Sequence, residues 1–195
     1  MRNTTMPIDP KEDHYIGLDL SLTASGVVVL NAGGTVKEHH VIKVKTKGVE
    51  RLNNIQGEIR SIIGMYNIKR VCIEEYAFGA QGKTFHIGEL GGVVKLLLYR
   101  MKVRHEGVPP TVLKKFTTGK GGGEGANKDQ MTLYAFKNWA FTGVDNNEVD
   151  AFCLARFAMA LEGLGGPFNK TQTETITQHL NPVIKKSKKG KSNES

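Results

Sequence analysis

The sequence lacks long apolar runs and has only two cysteines, which argues against a membrane-spanning protein and against a protein held together by disulfides. No segment approaches the ~18 apolar residues that a membrane-spanning helix needs. Residues 1–12 are polar and contain acids, unlike a secretion signal. Cys72 and Cys153 lie in apolar runs, at a spacing that does not suggest a zinc site. We therefore expect buried free thiols in a cytoplasmic protein that has no membrane partner.

Acidic residues are in deficit, which favours a polyanionic partner. The chain has 27 Lys and Arg against 19 Asp and Glu, a net charge of +8. Half of this excess lies in residues 164–195, which hold six lysines against two glutamates. The rest of the chain is therefore only mildly basic. The balance still favours an acidic partner such as nucleic acid.

Apolar patterning predicts a single mixed α/β domain, and 195 residues are enough to bury a core. The strands are predicted at residues 14–21, 25–31, 39–45, 69–75 and 111–113, and the helices at 49–66, 84–104, 128–140 and 148–163. We predict a flexible arm over residues 1–13, a folded domain over 14–163 and a disordered basic tail over 164–195.

Three acidic residues stand at the edges of separate apolar elements. Asp19 lies in a strand-like run, Glu74 lies near the end of another, and Asp150 opens an apolar helix. A carboxylate is costly to desolvate unless something binds it. Clustered carboxylates also repel each other, and a divalent cation such as Mg²⁺ removes that penalty. The three acids therefore predict one shared metal site, where two ions ~3.5–4 Å apart would promote phosphodiester hydrolysis.

Each acid taken alone has another interpretation. Asp19 could cap a turn through Ser21 and Thr23. Glu74 could pair with a lysine, and Asp150 could be a helix-start acid favoured by the helix dipole. We favour the metal site because all three alternatives would have to hold together.

A fourth ligand is predicted just before Asp150. Asn147 stands one helical turn earlier and shares its face, so its amide oxygen is the first candidate. Glu148 is the second candidate, provided that this stretch is still a loop.

These motifs occur in an order that resembles a known family. Residues 16–26 resemble the first motif of RuvC-type Holliday junction resolvases, residues 72–76 the second acidic motif, and residues 149–155 the closing helix. The resemblance covers about residues 14–163. It implies an RNase H-like fold with a mixed five-stranded sheet flanked by helices, a homodimer, and Mg²⁺- or Mn²⁺-dependent cleavage of four-way DNA junctions.

The chain departs from the family pattern in two places. Bacterial members usually have Asp or His at the position of Asn147. The glycine-rich loop over residues 119–128 is longer than in typical bacterial forms and is more similar to phage relatives.

DNA contacts are predicted around this loop and after the second acid. Glycines let backbone N–H groups approach a phosphate, and Lys114, Lys120 and Lys128 flank them. By the resemblance, Lys114 and Lys128 match basic positions near the scissile phosphate. The alternative is a flexible hinge with solvated lysines. Tyr76 and Phe78 are candidates to stack on an unpaired base, or else they pack against the domain.

The predicted helix over residues 84–104 carries more apolar faces than one sheet needs, and family dimers pack through this helix. We therefore expect a homodimer whose two active sites nick two strands symmetrically, leaving 5′-phosphate and 3′-hydroxyl ends. Within the nuclease class the alternative is a broader debranching activity. Outside it, the alternatives are an actin-like kinase or ATPase and a catalytically inactive DNA-binding protein.

Overall fold

The computed structural model describes residues 11–75, 84–120, 128–143 and 145–182. These residues form five strands and six helices. In chain order the elements are β1 (Asp13–Asp19), β2 (Ser25–Asn31), β3 (Val36–Ile42), α1 (Gly48–Ile63), β4 (Asn67–Glu74), α2 (Thr84–Arg100), β5 (His105–Val108), α3 (Pro110–Thr118), α4 (Lys128–Trp139), α5 (Asn146–Ala160) and α6 (Lys170–Leu180). None of the helices in these ranges is long and apolar enough to cross a bilayer.

The strands form one mixed sheet in the order β3-β2-β1-β4-β5. The pairs β1–β2 and β2–β3 are antiparallel, whereas β1–β4 and β4–β5 are parallel. The central strand β1 and its neighbour β4 therefore run in the same direction and end at the same edge of the sheet. The predicted five-stranded mixed sheet is confirmed.

Strand alternation divides the core into two layers. On one face, Tyr15, Val28 and Cys72 pack in a cluster with α5, and we call this side the α5 face. On the other face, Ile16 and Ile73 pack in a second cluster with α1 and α2. Eleven of the fifteen residues of α5 are buried, as expected for a helix that is covered on most of its sides.

The predicted strand at residues 111–113 is wrong, because these residues lie in α3. The fifth strand is β5, which comes before Pro109 and Pro110. Pro109 is the N-cap of α3 and Pro110 its first residue, where the missing N–H costs nothing and the fixed φ suits a helix.

The prediction of a disordered tail is wrong for residues 170–180, which form α6. A capping box starts this helix. Gln172 N donates to Asn169 Oδ1 at 2.9 Å, and Asn169 N donates to Gln172 Oε1 at 3.0 Å. The lysine-rich composition that suggested disorder comes from residues 185–191, which lie outside the described residues, as do residues 1–10 of the predicted arm.

Two glycines let the backbone of α5 touch the sheet. A Cβ at Gly17 would lie 1.8 Å from the carbonyl oxygen of Ala151, and one at Gly26 would lie 2.0 Å from that of Asn147. Real Cβ atoms do not come so close to backbone, so only glycine fits either position. The first two turns of α5 therefore rest directly on β1 and β2.

The far end of α5 is held by a buried cation. Arg70 on β4 is 1% exposed, and its Nε and Nη2 donate to Glu162 Oε1 at 2.8 and 2.6 Å. Its Nη1 donates to Glu106 on β5. Glu162 follows the end of α5, so one guanidinium joins this helix to two strands.

Substituting Gly17 by Ala should lower the free energy of unfolding by about 3 kcal/mol, the upper part of the overpacking range, because backbone of α5 must move. Gly57→Ala is the matched control. Gly57 lies inside α1, and the Cβ that alanine adds there would meet nothing within 4 Å, so that change should stabilise by about 0.5–1 kcal/mol. Urea unfolding measures both, and equal effects would contradict the close contact.

Substituting Arg70 by Ala leaves two carboxylates without their buried cation. We expect a loss of about 3 kcal/mol, the low end for a broken buried pair, since Glu106 and Glu162 are each about one third exposed. Arg104→Ala is the control, because its side chain is 59% exposed and its pair with Glu162 is worth at most about 1 kcal/mol. Thermal unfolding measures the Tm of both variants. Equal Tm values would refute the role assigned to Arg70.

Candidate active site

Asp19 and Glu74 end neighbouring parallel strands. Leu18 pairs with Ile73, so these two acids occupy the next position in register. Alternation along each strand also puts them on the α5 face, because they follow Gly17 and Cys72 by two residues. Two of the three predicted acids therefore stand side by side at one corner of the sheet, which we call the catalytic edge.

Asp150 reaches the same edge from α5. The helix rests on Gly26 through the carbonyl of Asn147, and Gly26 is the register partner of Asp19. Asp150 comes one helical turn after Asn147 on a helix that lies against β1, and it is half-buried. The structure thus brings all three predicted acids to one edge and one face.

Other groups close the turn after Asp19 and cap the start of α5. The turn after Asp19 is closed by hydroxyl groups: Ser21 N donates to Ser25 Oγ at 3.0 Å, and Ser25 Oγ donates to Ser21 O at 2.7 Å. The side chain of Asp145 caps α5, so Asp150 is the fifth residue of the helix, beyond the first turn where the dipole acts. The turn and the helix start have stabilising groups of their own.

The donor set at the catalytic edge fits a hard divalent cation. It consists of carboxylate oxygens, the ligands that Mg²⁺ prefers. Within the described ranges, no three His, Cys, Asp or Glu side chains are already grouped at a spacing that would hold a metal ion. What the fold supplies is the common edge and face of the three acids.

Asn147 and Glu148 both belong to α5, because the helix begins at Asn146, two residues before the predicted start. Glu148 is 4% exposed, and its Oε1 lies 3.5 Å from Nδ1 of His39 on β3. Glu148 was a candidate ligand only if this stretch were a loop, and that condition is not met. Asn147 keeps its place as the first candidate for the fourth ligand.

An aromatic and imidazole cluster next to the site was missed by sequence reasoning. The ring of His39 meets Phe141 edge-on at 6.0 Å, and Phe141 stacks on Phe152 at 4.0 Å. Together with Glu148, these rings join β3, the α4–α5 connection and the first turns of α5. His39 lies opposite Val28 in the sheet, which puts it on the α5 face, and the sequence carries no signal of this pairing.

The two cysteines are free and buried, as predicted. Burial, together with the negative charge of Asp150, raises the pKa of the Cys153 thiol to about 12. Burial also raises the pKa of the Cys72 thiol. Both thiols are therefore protonated at neutral pH and unsuited to metal binding or nucleophilic attack.

The predicted DNA-binding lysines lie on the side of the domain formed by α3 and α4. Lys114 is in the middle of α3, Lys120 follows its glycine C-cap, and Lys128 is the first residue of α4. The side chain of Lys128 lies outside the described residues, as do Tyr76, Phe78 and residues 121–127. The roles of these residues stay predictions.

Two neighbouring helices hold the end of α3, where the glycine-rich loop over residues 119–128 begins. Asn138 Nδ2 in α4 donates to Thr117 O at 2.8 Å. Gln172 Nε2 in α6 donates to Phe116 O at 3.0 Å. Both bonds satisfy carbonyl groups that a helix end leaves without an intrahelical partner.

Two comparisons with known proteins agree with this arrangement. The family model described as crossover junction endodeoxyribonuclease RuvC matches residues 15–155. The structure of Thermus thermophilus RuvC in complex with a Holliday junction substrate is 18% identical, with a TM-score of 0.65 over 77% of this chain and 96% of that one. Another structure of Thermus thermophilus RuvC is 20% identical, with a TM-score of 0.63 over 80% of this chain and 99% of that one. A search of curated proteins finds no match.

The structural neighbours support the fold, and the family match covers more than half of the chain and includes all three acids of the catalytic edge. The predicted RNase H-like fold is confirmed. The chain belongs to the RuvC family of crossover junction endodeoxyribonucleases, and it is a hydrolase that resolves DNA junctions.

Proposed function

We propose that Asp19, Glu74 and Asp150 hold two Mg²⁺ or Mn²⁺ ions and that Asn147 completes the ligand set. The observation that carries this proposal is the register of β1 and β4, which ends two neighbouring strands in carboxylates beneath the first turns of α5. When bound, such ions activate a water molecule and stabilise the leaving 3′ oxygen in an in-line displacement.

The chain itself contributes the fixed positions of the ligands. Asp19 lies on the central strand of the sheet and Glu74 on the inner strand next to it, and Asp150 lies on a helix whose backbone touches the central strand. Ligands on such rigid elements reorganise little when cation and substrate bind. The backbone of Asn147 lies against Gly26, the register partner of Asp19.

DNA is held by charge and shape rather than by sequence. Lys114, Lys120 and Lys128 bind backbone phosphates along α3 and α4, and this contact weakens as salt increases. Tyr76 or Phe78 stacks on a base that is unpaired at the branch point. The basic residues of 183–195 add affinity that does not depend on sequence.

The proposed substrate is a four-way junction, cut symmetrically to leave 5′-phosphate and 3′-hydroxyl ends. One structural relative was solved in complex with a Holliday junction substrate, which supports this choice over general debranching. The family match decides against the actin-like kinase alternative. A cytoplasmic location stays a prediction.

Asp19→Asn should abolish cleavage while junction binding survives, because the amide keeps the shape of the carboxylate and loses its charge. Loss of an outer-shell partner of a metal site lowers activity by up to about 100-fold. Because Asp19 is a direct ligand in this proposal, we expect the cleavage rate to fall by more than that. The assay uses labelled four-way, three-way and linear DNA, with and without Mg²⁺, and maps the cuts.

The matched control is Asp13→Asn, the same substitution at the opposite end of the same strand. Asp13 contacts Asn67 and Lys69 there, far from the catalytic edge, so this variant should cleave at the wild-type rate. Wild-type nicking by Asp19→Asn would refute the assignment. A wild-type enzyme with no Mg²⁺- or Mn²⁺-dependent nicking would indicate an inactive DNA-binding protein instead.

We also propose a homodimer that packs through α2. Large apolar side chains of this helix face solvent in the single chain: Phe85 is 86% exposed, Leu96 47% and Tyr99 75%. Leu96, Tyr99 and Gly92 follow one another at helical spacing and share one face. A second copy of the chain would cover this face and set two catalytic edges against two DNA strands.

Leu96→Glu should therefore convert the protein from dimer to monomer, because it puts a charge into an apolar interface. Light scattering coupled to size exclusion measures the mass directly. Phe136→Glu is the control, because Phe136 is 55% exposed on α4 and should not affect the dimer. If Leu96→Glu stays dimeric, the proposed interface is wrong.

A further inference from the structure

Two lysines from different parts of the chain stand over one aromatic ring. Lys120 Nζ lies 5.2 Å from the centroid of the Tyr134 ring, and Lys137 Nζ lies 5.7 Å from the same centroid. Lys120 follows α3, whereas Tyr134 and Lys137 neighbour each other on the surface of α4. Only the fold brings the three side chains together.

The backbone around this group is fixed. Gly119 takes the left-handed conformation that ends α3, with φ of 64°, and Lys120 N donates to Thr118 Oγ1 at 3.2 Å. The bond from Asn138, one residue after Lys137, to the carbonyl of Thr117 ties the last turn of α4 to the end of α3. The backbone of both lysines is therefore anchored next to the ring.

The electrostatics of the group favour an anion. The negative face of an aromatic ring attracts each ammonium. The two ammonium groups repel each other, and an anion that contacts both removes this repulsion. Among anions a DNA phosphate fits best, since this enzyme acts on a polyanion and both lysines are exposed at the surface.

Tyr134 and Lys137 lie in the second half of α4, which packs on α5. Trp139, at the end of α4, contacts Phe152 at 5.9 Å and Arg156 at 5.2 Å. Arg156 follows Asp150 by six residues, which is ~9 Å along a helix axis. The end of α4 that follows Lys137 therefore packs beside the turns of α5 that follow Asp150.

We propose that Lys120 and Lys137, oriented by Tyr134, form a phosphate-binding site for one DNA arm, away from the scissile phosphate. This inference rests on the proposed function and adds two residues, Tyr134 and Lys137, that sequence reasoning did not select. Because the site does not touch the reacting atoms, it determines the affinity for the junction and leaves the chemical step unchanged.

The test measures the Kd of a labelled four-way junction over a range of KCl concentrations without divalent cation, and the single-turnover cleavage rate at saturating enzyme with Mg²⁺. Lys137→Ala should weaken binding by about tenfold at low salt and reduce the slope of log Kd against log[salt] by about 1. The saturating cleavage rate should equal that of the wild type.

Two tyrosine variants separate the ring from the hydroxyl group. Tyr134→Phe keeps the ring face and should bind like the wild type, whereas Tyr134→Leu should lose affinity although Lys120 and Lys137 remain. Thermal unfolding shows whether Tyr134→Leu is folded, and if it is not, the surface variant Lys137→Ala decides whether the site exists.

Lys69→Ala removes the same charge at the start of β4, opposite the catalytic edge, and should change neither quantity. If Lys137→Ala binds like Lys69→Ala, the inference is overturned while the proposed function stands. If the wild type neither binds nor cuts the junction, the proposed function fails first.

Discussion

Backbone contact between α5 and the sheet is the constraint on which the catalytic edge depends. Gly17 and Gly26 remove the side chains that would hold the helix away, and carbonyl groups of α5 occupy their place. Without this approach, Asp150 would stand a side chain's width farther from the strand ends. Arg70 secures the opposite end of the same helix by binding Glu162 and Glu106. The helix is thus fixed at both ends. Its backbone packing on the sheet determines where Asp150 lies relative to Asp19 and Glu74.

Local patterns in the sequence predicted much of the fold and the placement of the acids. Apolar residues identified the first four strands, because side chains on the two faces of the sheet are buried in the two core layers. The position of Asp19 and Glu74 at strand ends followed from the same patterns. Their arrival at one edge required that the two strands be parallel neighbours, which the sequence patterns left open and the sheet shows.

Other features of the structure were not predicted, for two reasons. Some depend on residues that can either end or begin an element, and others depend on contacts between residues far apart in the chain. Pro109 and Pro110 stop one element and start another, and only the packing of α3 decides between these roles. The capping box of Asn169 and Gln172 was overlooked because the lysine-rich composition of the segment suggested disorder. The contact of His39 with Glu148 and the group around Tyr134 join segments far apart in the chain, so no spacing rule reveals them.

The attachment of α6 has a consequence for how the enzyme can diversify. The helix lies beyond residue 155, where the family match ends, yet Gln172 completes the hydrogen bonding of α3 beside the loop predicted to grip DNA. An element outside the shared family region thereby helps to shape a corner of the catalytic domain. Changes in α6 can alter that corner without touching the acids, so substrate preference can evolve at the periphery while the acidic centre stays unaltered.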